Sequence, residues 1–260
     1  MKRLHDRVAL VTGAGGAIGR AIAQRFAAEG ATVLCTDYDG AKAEETAAAI
    51  VGADGNASHL RSDVSIPEDC VEQVEETVSR YGRIDIAANV AGIGLHRLAL
   101  ETCLEDWERV LRVNLTGSFL VAQAAARHMV DQAGGGRIIQ IGSISGQRGH
   151  MAGIAYGASK AAAMHMCKVL AVELSDKGVM INAISPGPIE SGISVHGPSR
   201  REAYRSRIPA GRYGKAAAVA GAALFLASDD CDWMTGHVLN VDGGYCASGL
   251  TYDESELVHN

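Results

Sequence analysis

The chain lacks a CxxC pair, an excess of basic charge, an apolar run of membrane-spanning length, and any tandem repeat or low-complexity block. Each absence removes a class of protein. The six cysteines, Cys35, Cys70, Cys103, Cys167, Cys231 and Cys246, are scattered along 260 residues. Their spacing fits no zinc site, and a chain this long needs no disulfide staples, so reduced thiols in an intracellular enzyme are expected. No set of metal ligands is expected either. A surface for nucleic acid or anionic lipid needs surplus Lys and Arg, and 24 basic against 30 acidic residues give the opposite sign. The longest apolar stretch, Ala216 to Ala227, falls short of the roughly 18 residues a membrane helix needs. Near the start, polar Met1 to Arg7 is followed by apolar Val8 to Val11, too brief for a signal sequence. A cytoplasmic location is expected.

What is present is an apolar fraction of 47%, enough for a sizeable core, in a pattern that alternates between two periods. Short apolar runs read as strands at Val8–Val11, Thr32–Cys35, His59–Arg61, Ile84–Ala87, Arg137–Ile141, Met180–Ile184 and Val238–Val241. Between them lie helical stretches. Ile18, Ile22 and Phe26 recur at helical spacing, Ala41–Ile50 is rich in Ala and Glu, and Pro67 opens a helix with a Val71, Val74, Val78 stripe. Longer helices are expected over Leu104–Gln132 and Tyr156–Asp176. Such alternation implies βαβ units, a parallel sheet with helices on both faces, and a ligand crevice at the carboxyl ends of the strands. No long linker divides the chain, so residues 1–260 are expected to form one domain. The one irregular segment of any length, Gly187 to Gly214, reads as a lid or substrate loop.

Between the first strand and first helix lies Thr12-Gly13-Ala14-Gly15-Gly16-Ala17-Ile18-Gly19. Glycines there let the backbone approach a pyrophosphate, and the helix start offers free N–H groups to the anion. A literal GxGxxG reading fails, because Ile18 takes the place of the last glycine. The setting after a strand and before a helix is what gives the turn its meaning. Asp37 ends the second strand, 24 residues after Gly13. A carboxylate at that place can accept hydrogen bonds from an adenosine ribose and repel an added phosphate. Gly15, Gly16 and Tyr38 supply no cation, so NAD is expected over NADP.

Tyr156 and Lys160 are four residues apart and share a helix face. Such a pair is usually an ordinary helix surface. A phenol is a poor base near neutrality, since its reference pKa is about 10 and a value near 7 needs about 4 kcal/mol of bias. Lys160 and an oxidised nicotinamide ring are both cations that can supply it. Ser143 lies just past the fifth strand, where its hydroxyl can hold a substrate oxygen while Tyr156 exchanges a proton. Asn114 sits inside a predicted helix although asparagine is a mediocre helix former. Its side chain, or a local kink, is expected to serve a water or Lys160.

These residues together resemble the single-domain short-chain dehydrogenase/reductases along nearly the whole chain. Thr12 to Gly19 is similar to the family's TGxxxGxG turn, with Ala17 in place of the middle glycine. Asp63-Val64 resembles its adenine-contacting pair, and Asn89-Val90-Ala91-Gly92 its NNAG segment, with Val90 replacing the second asparagine. Asn114, Ser143, Tyr156 and Lys160 match its catalytic tetrad, including the separation of 13 between Ser143 and Tyr156. Pro186-Gly187-Pro188-Ile189-Glu190-Ser191 resembles its PGxxxT cofactor segment, with Ser191 keeping the hydroxyl. The resemblance implies a sheet in the order 3-2-1-4-5-6-7 and hydride transfer between NAD and a secondary alcohol or ketone. It makes Tyr156 the acid/base, Lys160 the ribose ligand, Ser143 the carbonyl polariser and Asn114 the organiser of a relay water. Ile189 would meet the nicotinamide amide through its backbone. Gly13, Gly15, Gly16, Ala17, Ile18, Gly19, Asp37, Asp63, Val64, Asn89, Ala91, Gly92, Pro186, Gly187 and Ser191 would complete the cofactor site.

A homodimer or homotetramer is also implied, packed through the helices that begin near Leu104 and Tyr156. The small faces Ala122, Ala125, Ala126 and Ala161, Ala162, Ala163 would permit close packing. On this fold His96, Ser145, Gln147 and His150 should border the substrate, with Gly94 and Leu95 beside them. That mixture suggests a hydroxylated substrate such as a polyol or sugar-like ketone. Arg200, Arg201, Arg205, Arg207 and Arg212 could meet an anion, although such a run is usually a solvated helix face. Three rivals stand against this reading. A nucleotide-binding regulator without chemistry has no need of the tetrad. A sugar-nucleotide epimerase or dehydratase usually has a longer region than the about 70 residues after Ser191. An NADPH-dependent carbonyl or 3-oxoacyl reductase is disfavoured by Asp37.

Overall fold

The computed structural model describes residues 2–190 and 196–249. Seven parallel strands form one sheet: β1 (Val8–Thr12), β2 (Thr32–Asp37), β3 (Asn56–Arg61), β4 (Ile86–Asn89), β5 (Gly136–Ile141), β6 (Val179–Pro186) and β7 (Val238–Val241). Their order is β3-β2-β1-β4-β5-β6-β7, as the family resemblance implies. The β1, β4 and β5 strands are buried along almost their whole length, because helices cover both faces. The helices are α1 (Ala17–Ala28), α2 (Gly40–Val51), α3 (Pro67–Tyr81), α4 (Leu104–Leu111), α5 (Ser118–Asp131), α6 (Ile154–Leu174), α7 (Pro198–Arg205) and α8 (Ala216–Ala227).

Two apolar layers result. Phe26 and Ile22 of α1 pack with Val219 and Leu224 of α8 on one face, and Val121 and Met129 of α5 with Met164 and Cys167 of α6 on the other. The apolar stretch Ala216–Ala227 is therefore a core helix, and no described helix is long and apolar enough to cross a membrane. The six cysteines are free, and burial pushes the Cys35, Cys70 and Cys167 thiols up to about 12.

Several local expectations shift. In α3 the buried face is Cys70, Gln73, Val74 and Thr77, whereas Val71 is 40% exposed. Polar Gln73 lies inside with its Oε1 accepting from the Thr36 hydroxyl of β2 at 2.7 Å, while its Nε2 has no partner among the described residues. The predicted Leu104–Gln132 helix is a continuous rod, but residues Arg112–Gly117 widen into a π-helical turn between α4 and α5. Asn114 lies in that turn, where the kink was expected. Of the alanine faces, Ala122, Ala125, Ala126 and Ala163 are buried within the chain, whereas Ala161 and Ala162 stay half-buried. The large apolar side chains left outward on these helices are Leu104, Phe119, Ile154, Val169 and Val172. Within the irregular segment 187–214, residues 198–205 form α7, and Ser191 lies outside the described residues.

Candidate active site

The carboxyl ends of β1, β4, β5 and β6 open onto one cleft of about 1280 Å³. Its first end is built on the glycine turn. Thr12 Oγ accepts hydrogen bonds from the Val90 and Ala91 amides at 3.0 and 3.1 Å, tying the exit of β1 to that of β4. Gly13 then turns with φ +64°, and a Cβ there would lie 2.8 Å from the Ala91 backbone. A Cβ on Gly19 would collide with the Gly13 carbonyl. Only glycine permits this close approach of turn, helix and strand. Ala17, by contrast, opens α1 with an ordinary negative φ, so its methyl is tolerated.

The start of α1 has no side-chain cap and no acidic residue in its first turn, and Ala17, Ile18 and Gly19 face the cleft. Its N–H groups are thus available to an anion. Asp37 stands beside them, its Oδ2 accepting from the Gly15 amide at 3.0 Å and its Oδ1 from the Asp39 amide at 3.0 Å. Asp63, Val64, Ala91 and Gly92 line the same wall. The π turn is pressed so tightly onto this wall that a Cβ on Gly117 would strike the Val64 carbonyl. An uncapped helix start, a carboxylate and a Cβ-free cradle in one row fit a dinucleotide. Lys42 of α2, which the sequence reading passed over, also reaches this end. Its ammonium pairs with Asp39 at 3.2 Å and is held above the usual lysine range, chiefly by that carboxylate. Its only signal in sequence was the helix-capping Asp39 three residues earlier.

Asn89 does not reach the cleft. It is buried, and its Nδ2 donates to the Ser118 carbonyl at 3.0 Å beneath the floor. Pro186, Gly187 and Ile189 do line the cleft. A parallel bridge to Gly214 uses the Glu190 amide and Pro188 carbonyl, which leaves the Ile189 peptide groups turned the other way.

At the second end Ser143, Tyr156 and Lys160 converge on the cleft, with Asn114 behind them. Tyr156 is in the first turn of α6, so Lys160 follows one turn later on the same face. The Lys160 ammonium lies 5.9 Å from the Tyr156 ring centre and donates to the Ile141 carbonyl at 2.8 Å. Lys160 is only 3% exposed, and burial brings its pKa down to about 8. Asn114 is fully buried in the π turn. Its Oδ1 accepts from the Ile93 amide at 2.8 Å, and its Nδ2 donates to the Ile93 carbonyl and Ser159 Oγ at 2.9 and 3.0 Å. A Cβ on Gly92 would lie 3.1 Å from Asn114 Oδ1 and 3.3 Å from Lys160 Nζ, so the two side chains approach each other across a glycine.

One electrostatic expectation is corrected. Lys160 and an oxidised nicotinamide ring together were expected to acidify the phenol, whereas in the cofactor-free chain burial holds Tyr156 above the ordinary tyrosine range. The opposing influence is the hydrogen bond with the Ser143 side chain, not the lysine, whose ammonium turns to the Ile141 carbonyl. Of the expected substrate contacts, His96, Ser145 and His150 line the cleft. Gln147 turns away, its Nε2 donating to Ser185 Oγ and Asn240 Oδ1 at 2.7 and 2.6 Å. His196, Arg200 and Tyr204, brought in by the segment around α7, line the cleft in addition.

A doubly wound sheet carrying this cleft defines a nicotinamide-dependent oxidoreductase. The family described as "Enoyl-(Acyl carrier protein) reductase" matches residues 13–246. Among similar proteins, 3-oxoacyl-[acyl-carrier-protein] reductase FabG of Thermotoga maritima is 39% identical over 243 residues, 93% of this chain and 98% of that one. D-threitol dehydrogenase of Mycolicibacterium smegmatis is 38% identical, covering 94% of each chain. A short-chain type dehydrogenase/reductase from Mycobacterium marinum superposes with a TM-score of 0.90 at 36% identity, over 93% of this chain and 96% of that one. The chain belongs to the short-chain dehydrogenase/reductase family.

Proposed function

We propose that this protein is an NAD-dependent dehydrogenase that interconverts a secondary alcohol and its ketone, with Tyr156 as general acid/base. The observation that carries the proposal is the meeting of Ser143, Tyr156 and Lys160 in the same cleft as Asp37 and the uncapped start of α1. Asp37, the glycine turn, Asp63, Val64 and Ile189 would hold the cofactor, which when bound supplies or accepts the hydride. The Ser143 hydroxyl holds the substrate oxygen, and Tyr156 takes its proton in oxidation or returns it in reduction. Burial alone disfavours the phenolate that oxidation needs. Positive charge must therefore arrive at the phenol in the loaded enzyme, and Lys160, largely protonated below about pH 8, is the resident source. Asn114 keeps the π turn closed on Ile93 and α6, which positions Lys160 from behind.

Asp37 favours NAD over NADP by charge repulsion. The outward Leu104, Phe119, Ile154 and Val172 support a homo-oligomer packed through α4, α5 and α6. A second reading, NADPH-dependent 3-oxoacyl reduction, is favoured by the similarity to the Thermotoga maritima protein and by Lys42 beside Asp37. The deciding experiment follows nicotinamide absorbance with both cofactors on polyols, secondary alcohols and 3-oxoacyl thioesters, for the native protein and Tyr156→Phe. The proposal expects NAD-linked alcohol oxidation that falls by orders of magnitude in Tyr156→Phe with cofactor affinity kept. Selective NADPH-linked thioester reduction establishes the second reading instead, and an active Tyr156→Phe refutes the assigned proton path.

A further inference from the structure

At the mouth of the cleft, α7 brings a cation against three histidines. Arg200 donates through Nη2 to His96 Nδ1 at 3.3 Å and sits over the Tyr204 ring at 5.8 Å. Tyr204 is stacked between His196, 4.7 Å away, and His150, 5.6 Å away. His96, His150, His196, Arg200 and Tyr204 all line the cleft. The cluster also shares the cleft with the chemistry, because Tyr204 and Tyr156 both line it.

The charge balance of this corner is one-sided. Arg201 has Glu190 as its partner and Arg205 has Glu202. Arg200 has no carboxylate within ion-pair distance among the described residues. All three histidines are held below their usual pKa, first by burial, and the charges that add to this are cationic, Arg200 in every case. His196 falls to about 4. Neutral imidazoles and one partly buried guanidinium therefore make up this wall. His96 accepts from Arg200 at Nδ1, so its neutral form carries the proton on Nε2, a further donor. His150 is committed elsewhere, to the Arg148 carbonyl and the Tyr245 hydroxyl.

A guanidinium has five donors in a planar fork, and this one spends a single one on His96. The rest match an oxyanion. We infer that Arg200, with His96 beside it, is the receptor for an anionic group on the substrate, so that the preferred substrates are small hydroxy acids or phosphorylated hydroxy compounds rather than neutral polyols. This rests on the proposed alcohol–ketone chemistry at Tyr156 and adds the substrate class. Tyr204 stacks on His150 across the cleft mouth and so holds α7 in place, with the Arg200 guanidinium over its ring.

The test uses the full-length enzyme and matched pairs that differ in charge alone. Hydroxy acids of four to six carbons are compared with their primary amides, and tetritols and pentitols with their monophosphates, for the native protein, Arg200→Gln and Arg200→Lys. The expected result is a kcat/KM for one anionic series about tenfold to a hundredfold above its neutral partners. That ratio falls towards one in Arg200→Gln and is partly restored in Arg200→Lys. The acid and phosphate arms distinguish which oxyanion is read. Equal rates within every pair, or a ratio that survives Arg200→Gln, overturn the inference. Calorimetric titration of the enzyme–NADH complex with the same pairs reads the preference without turnover. If no pair is turned over with either cofactor, the alcohol–ketone reading fails while this titration still decides the inference.

Discussion

Lys160 offers a perturbation whose size can be worked from the fold. Its ammonium is enclosed, with the Ile141 carbonyl as its hydrogen-bond partner, and burial lowers its pKa from 10.5 to about 8. A folded-state value below the unfolded one means that the unfolded chain binds the proton more tightly. The penalty is full at pH values below 8, shrinks as pH rises through the interval to 10.5, and vanishes above it. At about 1.4 kcal/mol per unit, the whole interval is worth about 3 kcal/mol. Replacing Lys160 by Met keeps the length and removes the charge. The Ile141 carbonyl then retains only the Gln140 amide, at 3.3 Å, which costs about 1 kcal/mol at every pH. The assay is urea unfolding of cofactor-free native protein and Lys160→Met, at fixed protein concentration, from pH 7 to 10. Native protein should gain on the variant by about 1 kcal/mol per pH unit above pH 8, while other titrating groups cancel in the difference. Parallel curves would refute the reasoning. They would mean that Lys160 keeps an ordinary pKa in a solvated setting, where its charge would be screened from the phenol.

Further outcomes follow from neighbouring residues. Because burial holds Tyr156 up in the free protein, its phenolate band should appear only above the ordinary tyrosine range and move to lower pH when cofactor binds. In that loaded enzyme, alcohol oxidation should rise with pH through the tyrosine pKa and ketone reduction should fall through it; identical profiles would exclude proton exchange at this group. Asp37→Ser should narrow the preference for NAD over NADP by about tenfold or more in measured Kd, and an unchanged ratio would release Asp37 from its ribose role. Asn114→Ala leaves the Ile93 amide and carbonyl without their partner, so unfolding by denaturant should show a loss of about 2–4 kcal/mol together with lower turnover. Gly117→Ala forces a methyl onto the Val64 carbonyl and should weaken cofactor binding by calorimetry; normal affinity would show that the π turn can give way.

Much of the nucleotide end was legible because its logic is local. Gly13, Asp37 and the opening of α1 are set within one βαβ unit, and backbone freedom, charge and helix start are all written in neighbouring residues. Tyr156 and Lys160 were legible for the same reason, being one helical turn apart. Val71 was misread because periodicity counts apolar residues and cannot see that Thr36 of β2 waits across the interface to meet the Gln73 Oε1. The position of the Asn89 side chain beneath the floor was not legible, because a motif names a segment and the packing of β4 on α5 decides where each side chain points.

By itself, the sequence determined the period of most segments, hence seven strands, the helices between them and a parallel sheet, because backbone geometry leaves few ways to bury such a pattern; the strand order came from the family resemblance. It also determined which groups could hold a dinucleotide and move a proton. Only the tertiary structure decided their company. It set Lys160 against a carbonyl instead of the phenol, brought Lys42 to the side of Asp37, and swung α7 round to set Arg200 among His96, Tyr204 and His196. The Arg200–His96 and Tyr204–His150 contacts join residues far apart in the chain, and even for near neighbours desolvation and charge act through space in ways that spacing does not record.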